Sequence, residues 1–345
     1  MKSSSQLRKV QLTGGSTFVV SLPKNWARSV GLKPGDHVKI TPQSGMTLLI
    51  SPREEKERKE ELSKVVIDDS AAETAEDVVR ELISCYLVGY DLISLKLGKK
   101  ATKYRSYIKD VMRRKLVGLE IIEESTEFMT ARCMLGHTEF PVKEALNRMH
   151  SMALSMHNDA IIALKEGNIP LAKEIEQRDD DVDRLYFFVV RQLKMAMENR
   201  VTMEEIGLTT ARDCLGFRMI VKSIERIADH ASRIAETIPT IDLSNIDGII
   251  DPILEISEIS NDICRISMKA LHQLNVKKAN QAIGKIVEVN ELEKKILEKI
   301  LKADLNIETI IGLRLILESI RRIGEYGTDI AEIALNLAKK WKEES

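Results

Sequence analysis

Residues 223–229 read Ser-Ile-Glu-Arg-Ile-Ala-Asp, and residues 319–325 read Ser-Ile-Arg-Arg-Ile-Gly-Glu. The match continues from the Ile-Ala-Glu at 234–236 to the Ile-Ala-Glu at 330–332. Two stretches that agree in order and in spacing indicate an internal duplication rather than chance.

Further matches lie upstream, in the same order along the chain. The Asn-Ile at 168–169 recurs as the Asn-Val at 275–276, and each is preceded by Ala-Leu and followed by Ala at the same distance. The Val-Asp-Arg-Leu at 182–185 aligns with the Val-Asn-Glu-Leu at 289–292. The chain after Pro141 is therefore one helical unit present twice.

This part of the chain has the periodicity of amphipathic helices. After Pro141, apolar residues recur about every 3.6 positions. The runs are broken at Gly167-Asn168, 199–202, Pro239, Pro252, Asn275 and 304–306. The pattern predicts six helices of roughly 22–35 residues, which short connections would arrange as two antiparallel three-helix bundles.

The residues before Pro141 predict two smaller regions. Up to residue 53, short strand patterns alternate with turns at Gly14-Gly15 and 33–36, and a short helix is expected at 24–30. A charged run at 54–61 predicts a solvated linker or helix, and residues 65–138 predict a small α/β unit. The expected fold is multidomain and mainly α, divided at 1–53, 54–138, 139–240 and 241–345.

The formal charge of −1 conceals an uneven distribution. Up to Arg53 the chain has eight basic residues and one acid, Asp36, which gives +7 and leaves −8 for the remainder. The four scattered cysteines form no Cys-x-x-Cys pair, so we expect reduced, mostly buried thiols in a cytoplasmic protein. Neither a signal-peptide core nor an apolar run of about 20 residues is present, so direct membrane insertion is not expected.

Two predicted helices of the first bundle each present a pair of acids four residues apart. Asp179 and Asp183 lie on one, and Glu225 and Asp229 lie on the other. Spacing of i, i+4 places both carboxylates on one helix face. If the two faces meet, four carboxylates would offer hard oxygen ligands to Mg, Ca, Mn or iron. A solvated acidic face, extended by residues 180–181, is the alternative.

Other patterns carry less chemistry. His230 points about 100° away from Asp229 on a helix, so it is not an obvious co-ligand. His150 and His157 are expected to be partly buried or surface residues rather than ligands. No catalytic triad, phosphate loop or dinucleotide fingerprint occurs, so an enzyme is not expected.

The stretch at 225–231, Glu-Arg-Ile-Ala-Asp-His-Ala, followed by the Ile-Ala-Glu at 234–236, resembles the signature helix of the PhoU family. Residues 179–185 resemble its partner helix. The resemblance implies two tandem three-helix bundles and a negative regulator that links a phosphate ABC transporter to phosphate-responsive genes. Several members bind iron or zinc clusters through such motifs.

Carried over to this chain, the resemblance makes Asp179, Asp183, Glu225 and Asp229 candidate ligands for iron or zinc. The second repeat departs from the pattern. The equivalent positions hold, in the same order, Ile286, Asn290, Arg321 and Glu325. There, Arg321 is expected to neutralise Glu325 and Asp329 in place of a metal, so at most one metal site is predicted.

The N-terminal region resembles the AbrB/SpoVT family, through the Phe-Val-Val-Ser-Leu-Pro-Lys at 18–24 and the Gly-Leu-Lys-Pro-Gly-Asp-His-Val at 31–38. That family forms obligate homodimers, in which two chains interleave their hairpins in a swapped-hairpin barrel, and many members bind DNA. The charge of +7 independently favours phosphate contacts. The candidate DNA-binding residues are Lys2, Arg8, Lys9, Lys24 and Arg28. A module that only dimerises is the alternative.

A second basic run, between residues 99 and 115, predicts a solvated helix face or, alternatively, a second surface for an anionic partner. Together, these patterns predict a homodimeric, DNA-binding transcriptional regulator of phosphate uptake and phosphate homeostasis. Its bundles would sense or relay the state of a transporter or a metal, with the ATPase subunit of a phosphate ABC transporter as partner. The alternative is an adaptor that docks on the transporter without binding DNA. A carboxylate-bundle enzyme is disfavoured, because its Glu-x-x-His pattern is missing from these helices.

Overall fold

The computed structural model divides the chain into two compact units, Met1–Glu61 and Leu62–Ser345. It describes residues 6–43, 47–52, 62–68, 72–98, 104–135, 140–198 and 203–339. The candidate Lys2 and the charged run at 54–61 lie outside the described residues.

The first unit consists of two hairpins and one short helix. Strands β1 (Gln11–Thr13) and β2 (Thr17–Val19) pair antiparallel, helix α1 spans Lys24–Ser29, and β3 (Val38–Gln43) pairs with β4 (Thr47–Pro52). The first turn contains Gly14 and Gly15 at positive φ, as that tight connection requires. These are the elements that the sequence predicted for this region.

Within the described part of this unit, no side chain is buried. Nine of its large apolar side chains are instead exposed, Phe18 by 75%, and the others are Leu7, Val10, Leu12, Val19, Val20, Ile40, Leu48 and Leu49. A two-stranded hairpin that buries no apolar face is at best marginally stable in water. The unit as a single chain therefore lacks the core that would stabilise it.

The second unit begins with a four-stranded sheet covered by two helices. In chain order these elements are β5 (Lys64–Asp68), α2 (Ala75–Val88), β6 (Leu92–Lys96), α3 (Arg105–Lys115), β7 (Leu119–Glu124) and β8 (Phe128–Cys133). The strand order is β5-β6-β8-β7, with β5 and β6 parallel and the other pairs antiparallel. This confirms the predicted α/β unit. Both helices pack against α5 of the first bundle.

Six long helices follow, as predicted, in two groups of three. They are α4 (Val142–Glu166), α5 (Ile169–Met197), α6 (Ala211–Thr237), α7 (Asp247–Gln273), α8 (Val276–Lys302) and α9 (Ile307–Ala338). The repeat is visible at their starts, because the equivalent Asn168 and Asn275 side chains cap α5 and α8. Helices α6 and α9 pack against each other and join the two bundles in one core.

The predicted break at Pro252 is wrong, because α7 continues through this residue. The chain breaks earlier, at the short 3-10 turns Ile238–Thr240 and Leu243–Asn245. Proline inside a helix costs about 3 kcal/mol. Burial of Ile249, Ile253 and Ile256 in the same stretch offsets that cost, since each buried isoleucine contributes roughly 1.5–3 kcal/mol. Among the described residues, no helix is long and apolar enough to cross a membrane.

Candidate metal and DNA-binding sites

The four candidate carboxylates converge between α5 and α6. Burial, and after it the charges of Asp183, Asp229 and Glu225, raise the pKa of Asp179 to about 7. Burial is also the main cause that raises the pKa of Glu225 and of Asp229. The two acidic faces therefore meet, which the spacing of the acids had left open.

The carboxylates differ in their partners. The Oδ1 atom of Asp179 is buried without a hydrogen-bond partner. Glu225, which is only 8% exposed, accepts hydrogen bonds of 2.6 and 2.5 Å from the Lys222 ammonium. Asp229 lies 3.6 Å from the Arg226 guanidinium. Asp179 is thus the carboxylate whose charge is least compensated.

Helix α3 of the α/β unit supplies two further cations. Lys115 Nζ donates to Asp183 Oδ2 at 3.0 Å, and Arg114 donates to Asp180 Oδ2 at 2.9 Å. Burial acts to lower the pKa of Lys115, but the hydrogen bond to Asp183 and the surrounding acids raise it above its usual value. The basic helix α3 was predicted to have a solvated face. Its C-terminal end instead packs against α5, so only the rest of its basic surface is left to solvent.

The sequence did not reveal this docking. Lys115 and Asp183 are far apart in the chain, and no local periodicity relates them. The only available signal was opposite charge, a basic run ending at Lys115 and an acidic run at 179–183. Lys222 was missed because it is one of several basic residues on α6, and the sequence does not distinguish it from the others.

The donor set fits a cation in its chemistry. Carboxylate oxygens suit hard divalent ions, and the unpartnered Asp179 Oδ1 is an acceptor that a cation would satisfy. The present geometry is less favourable. Among the described residues, no three His, Cys, Asp or Glu side chains are arranged to hold an ion, and Lys115 and Lys222 already contact two of the carboxylates. Iron or zinc binding therefore stays a prediction.

The histidines are more buried than the sequence suggested. His150 and His157 are 8% and 0% exposed, so their prediction as partly buried or surface residues is wrong. The reason is that α7 packs against α4. His157 Nδ1 donates to Asn261 Oδ1 at 2.8 Å, since an amide oxygen only accepts, and Nε2 accepts from Ser257 Oγ at 3.1 Å.

In the second repeat, Arg321 compensates acids where the first repeat has Glu225. Its guanidinium donates to Glu325, as predicted, and its Nε lies 3.1 Å from Glu293 on α8. The predicted partner Asp329 is not among its contacts in the part of the chain that the structure describes. The position of the Glu225 carboxylate in the first repeat is thus occupied in the second by an arginine that pairs with two glutamates.

The described DNA-binding candidates are all exposed. They are Arg8, Lys9, Lys24 and Arg28. Lys24 and Arg28 lie one turn apart on α1 and therefore share a helix face. These side chains are free to contact a phosphate backbone.

The PhoU domain model matches residues 146–238 and 253–334, which are α4 to α6 and most of α7 to α9. The chain belongs to the PhoU family. The family model of "Antidote-toxin recognition MazE, bacterial antitoxin" matches residues 11–58, in agreement with the swapped-hairpin domain expected there.

Curated PhoU relatives align with the bundle region. The chain is 27% identical over 212 residues to the "Phosphate-specific transport system accessory protein PhoU homolog" of Zymomonas mobilis, covering 58% of this chain and 87% of the relative. It is 22% identical over 203 residues to the protein of the same description from Borreliella burgdorferi, covering 56% of this chain and 89% of the relative.

Two solved PhoU structures share the fold. The phosphate transport system regulatory protein PhoU from Streptococcus pneumoniae superposes with a TM-score of 0.51 at 14% identity, covering 57% of this chain and 92% of that protein. PhoU from Pseudomonas aeruginosa gives a TM-score of 0.50 at 20% identity, covering 57% and 94%. These similarities show the architecture of tandem helical bundles.

Proposed function

We propose that this PhoU-family chain is a homodimeric, DNA-binding transcriptional regulator of phosphate uptake and phosphate homeostasis. The observation that carries the proposal is the surface of the first unit, which exposes its apolar side chains and its cations together. Such a unit needs a second chain for its core and a polyanion for its charge. The second unit supplies the phosphate-related bundles.

Dimerisation follows from the missing core. Five apolar side chains of the two hairpins are more than half exposed: Leu12, Phe18, Ile40, Leu48 and Leu49. Each buried apolar side chain of this size is worth roughly 1.5–3 kcal/mol, so interleaving with a second copy would create the core that one chain lacks. The likeness to MazE- and AbrB-type modules supports the same assembly.

DNA binding follows from the charge. Up to Arg53 the chain has eight basic residues and one acid, and dimerisation doubles this excess of positive charge. Cations that neutralise DNA phosphates release counterions, which makes binding strongly dependent on salt. Lys24 and Arg28 are the described cations whose shared helix face is best placed to follow a backbone.

The bundles relay the phosphate signal. Relatives named as accessory proteins of phosphate-specific transport systems support a role at the transporter, whose cytoplasmic ATPase subunit we propose as the docking partner. The chain would then work in the cytoplasm, as a regulator without a catalytic activity of its own.

Fluorescence anisotropy with labelled duplexes from the promoter of a phosphate-transport operon tests the DNA-binding role. Lys24→Glu and Arg28→Glu should each weaken binding, and the double variant should lower the slope of log K against log salt. Lys173→Glu, an exposed charge reversal on α5, is the matched control and should bind as the wild type does. Absence of binding at low salt, with retained binding to the ATPase subunit, would establish the adaptor instead.

A second role, cation binding, is supported by the unpartnered Asp179 Oδ1. Asp179, Asp183, Glu225 and Asp229 would hold one iron or zinc site between α5 and α6. A cation there would neutralise the carboxylate charges that now raise the pKa of Asp179. Metal analysis of protein purified without a tag should detect metal that the Asp229→Asn variant lacks, and equal metal content in both would refute the site.

A further inference from the structure

The sheet of the α/β unit has two edge strands of different character. At one edge, β7 has an irregular register between Ile121 and Glu123, and glutamates occupy positions 120, 123 and 124. Bulges and charged side chains keep an edge strand from pairing with another chain. At the other edge, β5 pairs with β6 in unbroken register, and residues 65–67 at its centre are all apolar. The edge at β5 therefore lacks the features that protect the edge at β7.

The backbone of β5 presents hydrogen-bonding groups on its outer side. The carbonyl of Ser63 accepts a hydrogen bond of 3.0 Å from the N–H of Leu92, at the start of β6. In a trans peptide the carbonyl and the following N–H point in opposite directions, so the N–H of Lys64 points away from β6. Backbone groups alternate along a strand, and those of Val66 and Asp68 therefore point outward as well. Among the described residues, no strand pairs with this side of β5.

The side chains at the centre of β5 are apolar on both faces of the sheet. Ile67 is buried, and Val65 is partly buried, in the core that the sheet forms with α2 and α3. Val66 lies on the opposite face and is 67% exposed. Pairing with another strand would cover part of Val65 and of Val66, which the fold of one chain leaves in contact with water.

The strand β5 is complementary to itself. In an antiparallel pair, opposite residues whose backbone groups face each other exchange both N–H···O bonds. With a two-fold axis at Val66, the two Val66 residues pair with each other and Lys64 pairs with Asp68 of the second copy, so every outward group is bonded. Every other antiparallel register leaves at least one end of the strand unpaired. An axis at Lys64 or at Asp68 would also place like charges opposite each other, which is destabilising.

The neighbouring charge on β6 agrees with this register. Asp68 Oδ2 lies 3.2 Å from Lys96 Nζ, and the two side chains remain 49% and 69% exposed. In the pair of copies, Lys64 of the second copy would lie on the other side of Asp68. Each Asp68 carboxylate would then have a lysine on either side, and opposite charges on neighbouring strands are favourable.

The edge alone is too small to hold two chains together. A stable interface buries about 1,200–2,000 Å², more than a pair of five-residue strands provides. Eleven residues separate the end of β4 at Pro52 from the start of β5 at Lys64. Chains that are joined through the first unit therefore keep their β5 strands within a limited distance, which gives an effective concentration on the order of millimolar.

We propose that β5 pairs antiparallel with β5 of a second copy about a two-fold axis at Val66, which joins two four-stranded sheets into one sheet of eight strands. The strength of this contact rests on the proposed dimerisation of the first unit, whereas its geometry rests on β5 itself. Because α2 and α3 pack against α5, the contact would also couple the helical bundles of one chain to those of the other.

Disulfide formation in the full chain tests the strand pair. Val66→Cys places two cysteines across the proposed axis, where Cα atoms about 5.5 Å apart suit a disulfide. Oxidised glutathione should convert most of this variant to covalent dimers on non-reducing gels. The matched control is Ile122→Cys, which changes a 51% exposed residue of the other edge strand, and its yield should be at least 10-fold lower. The wild type, with its four native cysteines, gives the background.

Two further positions test the register. Lys64→Cys and Asp68→Cys should each form little disulfide alone, because two copies of one position lie four residues apart along the paired strands. The double variant should form covalent dimers as Val66→Cys does. Adding Val66→Pro removes an outward N–H without affecting the bonds to β6, and it should lower the yield at least 10-fold, whereas Val66→Thr should retain it. If circular dichroism shows that Val66→Pro fails to fold, the comparison of Val66→Cys with Ile122→Cys still decides.

Light scattering on the same proteins judges the proposed dimerisation separately. A dimeric protein without the Val66→Cys disulfide would overturn the strand pair and leave the proposed dimer intact, with the edge open to a strand of another protein. A monomeric protein without the disulfide would overturn both. Equal yields from Val66→Cys and Ile122→Cys, or a high yield from Lys64→Cys alone, would also overturn the strand pair. Combined with Phe18→Glu, Val66→Cys should form its disulfide at least 10-fold more slowly, and an equal rate would refute the proposed dimerisation through the first unit while upholding the strand pair.

Discussion

The Lys115 ammonium on α3 lies 3.0 Å from Asp183 on α5 and donates a hydrogen bond to its carboxylate. This contact joins the α/β unit to the acidic cluster of the first PhoU bundle. Lys222 likewise contacts Glu225. Two lysines of the chain thus supply positive charge to carboxylates that a metal ion would otherwise neutralise. The α/β unit thereby contributes to the electrostatics of the cluster.

Lys115→Met should increase the affinity of the cluster for Zn²⁺ by about 10-fold, because removing one competing charge near the ligands is worth on the order of 1.4 kcal/mol. Isothermal titration calorimetry on the metal-free protein measures the change. Lys109→Met removes a cation from the same helix that instead pairs with Glu124 at 2.6 Å, and its Zn²⁺ affinity should match that of the wild type. Unchanged affinity in Lys115→Met would show that the lysine does not compete with the ion.

Asp179→Asn should stabilise the metal-free protein at pH 8 and leave its stability at pH 4 unchanged. Because the pKa of Asp179 is about 7 in the folded state, the folded chain keeps a proton between pH 4 and 7 that the unfolded chain has lost. The contribution of this group to the free energy of unfolding therefore falls as the pH rises through that window. The gain should be about 1–2 kcal/mol, less than the full shift implies, since the side chain keeps some solvent contact.

Urea denaturation at both pH values measures this difference. Asp180→Asn, on the same turn of α5 but paired with Arg114 at 2.9 Å, is the control and should show no gain at pH 8. A destabilised Asp179→Asn protein at pH 8 would mean that the carboxylate is already compensated.

His157→Gln should flatten the loss of stability in acid. Burial lowers the pKa of His157 to about 4, so between pH 6.5 and 4 the unfolded chain binds a proton that the folded chain excludes. Stability from this group is present above pH 6.5 and decreases by about 3 kcal/mol as the pH falls to 4. This dependence is opposite in sign to that of Asp179, and the single variants separate the two.

Thermal unfolding of the helical signal between pH 4 and 7 measures the slope. The exposed His37→Gln variant serves as the control and should keep the wild-type slope. If stability falls equally with pH in His157→Gln and in the wild type, another group causes the loss, such as the buried His150.

Phe18→Glu should convert the dimer to a monomer of 39.0 kDa. Phe18 is 75% exposed in the single chain, and a carboxylate buried at that position in a dimer would cost several kcal/mol. Light scattering after size-exclusion chromatography gives the mass. Ile162→Glu, which changes an exposed apolar residue on α4, should remain dimeric, whereas a dimeric Phe18→Glu would mean that the chains associate through another surface.

The sequence by itself determined the helical bundles, because helix formation and burial depend on apolar spacing that recurs within each segment. The duplication and the α/β unit follow from such local patterns, and the structure agrees with them, whereas the spacing of Asp179 and Glu225 left open whether their helix faces meet. The predicted helix break at Pro252 is wrong because burial of neighbouring isoleucines outweighed the tendency of proline to end a helix.

Only the tertiary structure decided which charges and surfaces meet. The contact of Lys115 with Asp183, the burial of His157 against α7 and the stacking of His230 on Tyr326 each join segments that are distant in the chain. Such pairings depend on how whole helices pack, and periodicity within one helix carries no information about its neighbour. For this reason the duplicated sequence predicted two bundles, while the packing of α6 against α9 that joins them became visible only in the tertiary structure.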